Sequence, residues 1–225
     1  LSAPPEIEHY LDVSGARVAL TLDAFYGSFA QLHPRRPLTT LLLARLGDDL
    51  PPLKRLGFWL TKGRRIAPVP ADARVRWWKP LNRQAHPEAA RAPAATDDAA
   101  AILFSGGTTG LPKGIVLSNR NFIAQGMQAA AWVGMGGADS ILAVLPIFHG
   151  FGLGVCVNAA FMAGAKSILV PQFSAQIVAK LLPKAKPTLL VGVPTLYDAL
   201  TKDPTLAQAD LSFLHACFSG ADTLP

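Results

Sequence analysis

Ser105-Gly106-Gly107-Thr108-Thr109-Gly110-Leu111-Pro112-Lys113-Gly114 is the stretch on which the reading of this chain turns. Hydroxyls, glycines and one lysine crowd into a single loop. That is the composition of a phosphate cradle: glycine lets backbone N–H groups turn inward toward an anion, Ser and Thr add hydroxyl donors, and Lys adds a mobile positive charge. The Walker A pattern does not fit, because Pro112 precedes Lys113 and Gly114 follows it where Ser or Thr is required. The Rossmann pattern fails on the spacing of Gly106, Gly107 and Gly110. A plain Gly/Thr surface turn is disfavoured by the attached Pro-Lys-Gly.

Outward from the loop, Ala99–Phe104 is an apolar run that reads as a buried strand, and Ile115–Leu117 as a second. Asn119 is the expected N-cap of a helix through Phe122, Ile123, Met127 and Trp132. The same alternation runs along the rest of the chain. Helices are expected at Glu6–Val13, Ala24–Leu32, Leu153–Met162, Ala175–Leu182 and Pro194–Lys202. Strands are expected at Val18–Leu22, Leu38–Leu43, Ile141–Leu145, Ser167–Val170, Thr188–Val191 and His215–Phe218. Such alternation predicts an α/β fold with mostly parallel sheets flanked by helices. Three segments follow: a first α/β unit over 1–46, a Pro-rich insertion or linker over 47–96 with a mobile run at Ala85–Ala95, and a phosphate-loop α/β unit over 97–225.

Half of the 225 residues are hydrophobic and 16% are charged, which excludes a disordered chain. The net charge of +6 suits an anionic ligand or membrane surface. The basic residues are scattered, with no aromatic-basic stripe, so nucleic acid is not an expected partner. Cys156 and Cys217 lie far apart in apolar runs and read as buried free thiols of a reducing, cytoplasmic compartment. No signal peptide is visible at Leu1–Pro5. Ile141–Ala165 is long and apolar, but Pro146, Gly150, Gly152 and Gly154 break it, so it reads as strand, turn and helix rather than a membrane span. Within the middle segment, Leu53–Arg65 interleaves apolar and basic residues. It reads as an amphipathic helix over a core with snorkelling Lys and Arg, or as a segment for peripheral membrane contact.

The loop resembles the nucleotide-phosphate loop of the adenylate-forming superfamily, which contains acyl-CoA synthetases, luciferases and peptide-synthetase adenylation domains. Three further stretches resemble that family in its order: Leu145–Gly152, Gly192–Tyr197 and Phe218–Ala221. Ser14-Gly15-Ala16 resembles the start of its second nucleotide-fold unit. The likeness runs from end to end and is most like a long-chain fatty-acid–CoA ligase. It implies an incomplete large domain of the acyl-CoA synthetase type, without the family's downstream Glu, ribose-binding Asp or C-terminal domain with its catalytic Lys.

The resemblance implies ATP-dependent conversion of a fatty acid to acyl-AMP in the full-length protein, then thioester formation with CoA. Ser105, Gly106, Gly107, Thr108, Thr109, Gly110 and Lys113 would hold the phosphates, Ser105 would help hold Mg²⁺, and Gly220 and Ala221 would contact the nucleotide. Phe148, His149, Gly152 and Leu153 would line the acyl site. His149 and Lys113 are the candidate catalytic residues. Some long-chain members carry a gating Trp where Leu153 stands here, and Asp222 and Thr223 depart from the family's usual residues. Three alternatives remain: an acyl-AMP ligase feeding a carrier protein, a non-catalytic nucleotide- or acyl-binding relic, and a generic α/β domain whose loop binds some other anion. The fragment alone is expected to be inactive.

Overall fold

A computed structural model describes residues 2–32, 38–84, 94–106, 111–170 and 174–223. Of the sequence expectations, Gly107–Gly110 and most of the Ala85–Ala95 linker lie outside these residues. The chain forms two compact units, Leu1–Pro93 with Phe104–Gly114, and Ala94–Leu103 with Ile115–Pro225.

The first unit opens with α1 (Pro4–Ser14), whose first turn accepts Pro because no N–H is needed there. Gly15, at φ +64°, ends the helix by donating its N–H to Leu11 O. Then follow β1 (Val18–Leu22), α2 (Tyr26–Ala30), β2 (Thr40–Ala44), α3 (Pro52–Thr61), β3 (Val75–Trp77) and α4 (Trp78–Arg83). β1, β2 and β3 make a parallel sheet in that order, with Val18 opposite Thr40 and Leu41 opposite Val75. Leu41 and Leu43 on the central strand are fully buried. The three residues of β3 lie in a Pro-rich context too short to carry an alternation signal, so the sequence gives no warning of a strand there.

β4 (Ala99–Ser105) and β5 (Lys113–Ser118) flank the Gly-rich loop and pair as a two-stranded sheet. α5 (Asn119–Trp132) follows directly. Its N-cap is Ser118, not Asn119: Ser118 Oγ accepts from Asn121 N at 3.2 Å while Asn121 Oδ1 accepts from Ser118 N at 2.9 Å. This reciprocal box satisfies two backbone donors and outcompetes a cap one residue later.

Next come β6 (Ser140–Ala143), a π-helical segment (Gly152–Ala159) running into α6 (Ala160–Met162), and β7 (Lys166–Leu169). α7 (Ala175–Ala185), β8 (Leu189–Gly192), α8 (Pro194–Thr201) and β9 (Ala216–Ser219) complete the unit. The strands form one parallel sheet in the order β7-β6-β8-β9. Ile141–Leu145 and Leu189–Gly192 are buried throughout, as central parallel strands covered on both faces must be. Where an ordinary helix over Leu153–Met162 is expected, most of the coil is π. Nearly all of its residues are apolar or small, so side-chain periodicity cannot separate the two coils. The burial expected for both cysteines holds for Cys156 only. Cys217 is exposed because β9 is an edge strand of its sheet.

Candidate nucleotide and acyl site

Because β6, β8 and β9 are adjacent and parallel, the segments leaving their carboxyl ends gather at one end of the sheet. In open parallel sheets that end is where ligands bind. The three gathered segments are Leu145–Gly152, Gly192–Tyr197 and Ser219–Ala221. The sequence singled out these same three stretches separately, far apart along the chain.

After β6 the chain turns tightly into the π-helical segment. His149 N donates to Pro146 O at 3.0 Å, and Leu153 N to His149 O at 2.9 Å. A Cβ at Gly152 would lie 2.3 Å from Pro146 O, so only glycine permits this turn. Phe151 N donates to His149 Nδ1 at 3.3 Å. A neutral ring bonded in this way carries its hydrogen on Nε2, leaving that nitrogen a donor. His149 is exposed at the turn, and Phe148 beside it is 84% exposed.

After β9, Gly220 N donates to Gly192 O at 3.3 Å. The Phe151 ring lies against Gly220, where a Cβ would come within 3.1 Å of Phe151 Cζ. Ala221 follows at φ +68°, an uncommon conformation for a residue with a side chain. Tyr197 on α8 braces the two strands: its hydroxyl lies 2.9 Å from Leu190 O and 2.6 Å from Phe218 O and donates its hydrogen between them. Burial pushes its phenol well above the usual range. Ser219 Oγ is buried and, among the described residues, has no hydrogen-bond partner. An orphaned hydroxyl at the end of a strand is what a polar ligand would satisfy.

An apolar pocket of about 420 Å³ lies beside this end, lined by Leu103, Leu117, Phe122, Phe151, Leu153 and Val155, with Asn121 and Gln125 as its polar members. Its size is that of a small-molecule site. Leu153 lines it and Phe148 does not. Phe148 borders a different cavity, of about 400 Å³, with Ile147, Leu169 and Val170. Asn158 ties the π-helical segment to α5, its Nδ2 donating to Phe122 O at 2.6 Å and to Gln125 Oε1 at 3.0 Å. That lone polar residue in an apolar run was a usable sequence signal. Phe151, Tyr197 and Ser219 gave none beyond their place in the quoted stretches.

In the other unit, Ser105 is half-buried at the end of β4 and Lys113 is exposed at the start of β5. α1 meets both ends of this loop. His9 Nε2 is 2.7 Å from Pro112 O, and the Tyr10 and Phe104 rings lie 4.2 Å apart between centroids. Among the described residues no group of three or more His, Cys, Asp or Glu side chains gathers as a metal site. Ser105 offers a single hydroxyl, which suits Mg²⁺ only where phosphates supply most of its ligands.

The AMP-binding enzyme family model matches residues 1–225. The chain belongs to the family of AMP-binding enzymes. It is 31% identical over 225 residues to a long-chain-fatty-acid–CoA ligase of Bacillus subtilis (strain 168), covering 98% of this chain and 40% of that protein. It is 32% identical over 234 residues to 4-coumarate–CoA ligase 2 of Oryza sativa subsp. japonica, covering 98% of this chain and 38% of that protein. The fold is that of the anthranilate–CoA ligase AuaEII in complex with anthranoyl-AMP, at a TM-score of 0.81 and 23% identity, over all of this chain and 40% of that one. ATP-bound MatB from Rhodopseudomonas palustris matches at a TM-score of 0.71 and 21% identity, over 98% of this chain and 38% of that one. The chain thus spans about two fifths of the length of the proteins it resembles.

Proposed function

We propose that the full-length protein is an acyl-CoA ligase that activates a fatty acid with ATP. The reading is carried by the gathering of the His149 turn, Gly192 and Ser219–Ala221 at one end of a parallel sheet, beside an apolar pocket. In the first step a carboxylate oxygen bonds to the α-phosphorus of ATP and pyrophosphate leaves. In the second, the CoA thiol sulfur bonds to the acyl carbon, AMP leaves, and the thiol proton passes to solvent. Alignment and charge neutralisation supply most of the acceleration at phosphorus. Ser105, Gly106, Lys113 and the intervening Gly107, Thr108, Thr109 and Gly110 are the proposed phosphate-holding residues. Mg²⁺, carried on the phosphates with Ser105 as one ligand, would neutralise their charge. Gly220 and Ala221 are proposed to contact the nucleotide. His149 Nε2–H is proposed to hold the carboxylate oxygen, and Phe151 and Leu153 to shelter the acyl chain from water. Phe148, bordering another cavity, is not assigned to the acyl chain.

The pocket's apolar lining favours a fatty chain, and the 4-coumarate–CoA ligases among the relatives make an aromatic acid the rival substrate. Pyrophosphate release with palmitate and with 4-coumarate, each with and without CoA, separates them. Acyl-AMP that accumulates with CoA present would instead indicate a ligase for a carrier protein.

We also infer that α3 makes peripheral contact with an anionic membrane surface. Support comes from Leu53, Leu56 and Leu60, which are 83%, 54% and 48% exposed along one stripe of a helix that buries no residue. Lys54, Arg55, Lys62, Arg64 and Arg65 lie in or just after the same helix, and Pro52–Arg65 holds no acidic residue. An apolar stripe with a basic margin is the pattern of an interfacial helix. Among the described residues, no helix is long and apolar enough to cross a membrane. Full-length protein should sediment with phosphatidylserine-containing vesicles and not with phosphatidylcholine alone. Leu56→Glu with Leu60→Glu should abolish the sedimentation, and retention by that variant would refute the contact.

A further inference from the structure

We propose that α1 is a brace that positions the phosphate-loop residues Ser105 and Lys113, with His9 and Tyr10 as the positioning side chains. The proposal rests on the phosphate-binding role assigned to the loop above. His9 and Tyr10 are consecutive on α1, far from the loop in sequence, yet each meets the residue immediately before one of the two loop groups. Phe104 precedes Ser105, and Pro112 precedes Lys113.

At the Lys113 end, His9 Nε2 lies 2.7 Å from Pro112 O in a half-buried position. A carbonyl oxygen can only accept, so the histidine must donate. Proline's φ is fixed by its ring and it has no N–H, so holding its carbonyl fixes the plane of the Pro112–Lys113 peptide. That plane contains the N–H of Lys113 and sets the direction in which β5 and the lysine stem depart. At the Ser105 end, the Tyr10 ring packs on the Phe104 ring at 4.2 Å and 39°, and the His9 ring meets Phe104 edge-on at 6.4 Å and 65°. Tyr10 is itself held, its hydroxyl donating to Glu6 Oε1 at 2.5 Å and its carbonyl accepting from Ser14 Oγ at 2.6 Å. One helical turn therefore holds the residues that precede Ser105 and Lys113, so less ordering of these two groups is left to ligand binding. The expected consequence falls on the triphosphate and not on the organic acid.

The test uses the full-length protein and three variants. His9→Phe keeps a ring against Phe104 but removes the donor. His9→Gln places an amide N–H near the position of Nε2. His9→Asn stops short of it. Equilibrium binding of ATP with Mg²⁺ is measured for each, together with KM for ATP, KM for the acid and the thermal midpoint. His9→Phe and His9→Asn should weaken ATP binding and raise KM for ATP by about tenfold, the effect of one lost hydrogen bond. KM for the acid should stay unchanged, and His9→Gln should remain within about threefold of wild type. Should His9→Phe fail to fold, the Gln and Asn pair decides by the same criterion. Unchanged ATP affinity in His9→Phe or His9→Asn overturns the brace, as does a His9→Gln variant as impaired as His9→Asn. Wild-type protein that binds ATP but releases no pyrophosphate with any acid tells against the ligase reading and leaves the brace to the binding data. Wild type that binds no ATP overturns both.

Discussion

Gly152 sets the geometry of the His149 turn, because a single methyl group there would collide with Pro146 O at 2.3 Å. The obstacle is backbone, so no rotamer change relieves it. Gly152→Ala should cost about 1–3 kcal/mol, seen as a lower thermal midpoint, and should depress pyrophosphate release. Gly27→Ala, where an added Cβ meets nothing within 4 Å, is the neutral control. Tyr197→Phe removes the hydroxyl shared by Leu190 O and Phe218 O, and should cost about 1–3 kcal/mol by leaving a buried carbonyl short of a donor. Cys156 gives a pH signature. Burial raises its thiol from 9.0 to about 12 in the folded chain. The folded state therefore holds this proton more tightly than the unfolded state. The resulting stability is fully present below about pH 9 and is lost as the pH climbs toward 12. The stability difference between wild type and Cys156→Ala should narrow steadily from about pH 9 to about pH 12, and a constant difference would contradict the assignment.

Elements were most legible where burial imposed a simple pattern. Ile141–Leu145 and Leu189–Val191 are unbroken apolar runs, and both fall on central strands of the parallel sheet. The expected strand Val18–Leu22 is β1 residue for residue. The cap of α5 was displaced by one residue, since a capping box depends on the partner three positions on and not on the cap alone. The π-helical segment was illegible, because apolar residues all around a coil carry no phase. α3 was legible as an amphipathic helix, but which of its faces meets water depends on tertiary packing, and its leucine stripe faces outward. The His9 to Pro112 bond was illegible too: no local signal joins residues so distant in sequence.

At the scale of the whole molecule, topology does what no single motif can. The order β7-β6-β8-β9, all parallel, brings the ends of β6, β8 and β9 together and turns three scattered stretches into one candidate site. The family match covers residues 1–225, while the proposed substrate rests on the apolar pocket and on relatives named for different acids. The most direct test is pyrophosphate release by the full-length protein with ATP, Mg²⁺ and palmitate, with and without CoA, beside a Thr108→Ala, Thr109→Ala double variant. The account predicts palmitate-dependent release, a palmitoyl-CoA product when CoA is present, and loss of both in the double variant. Absence of pyrophosphate release with palmitate, or undiminished release by the double variant, would contradict it.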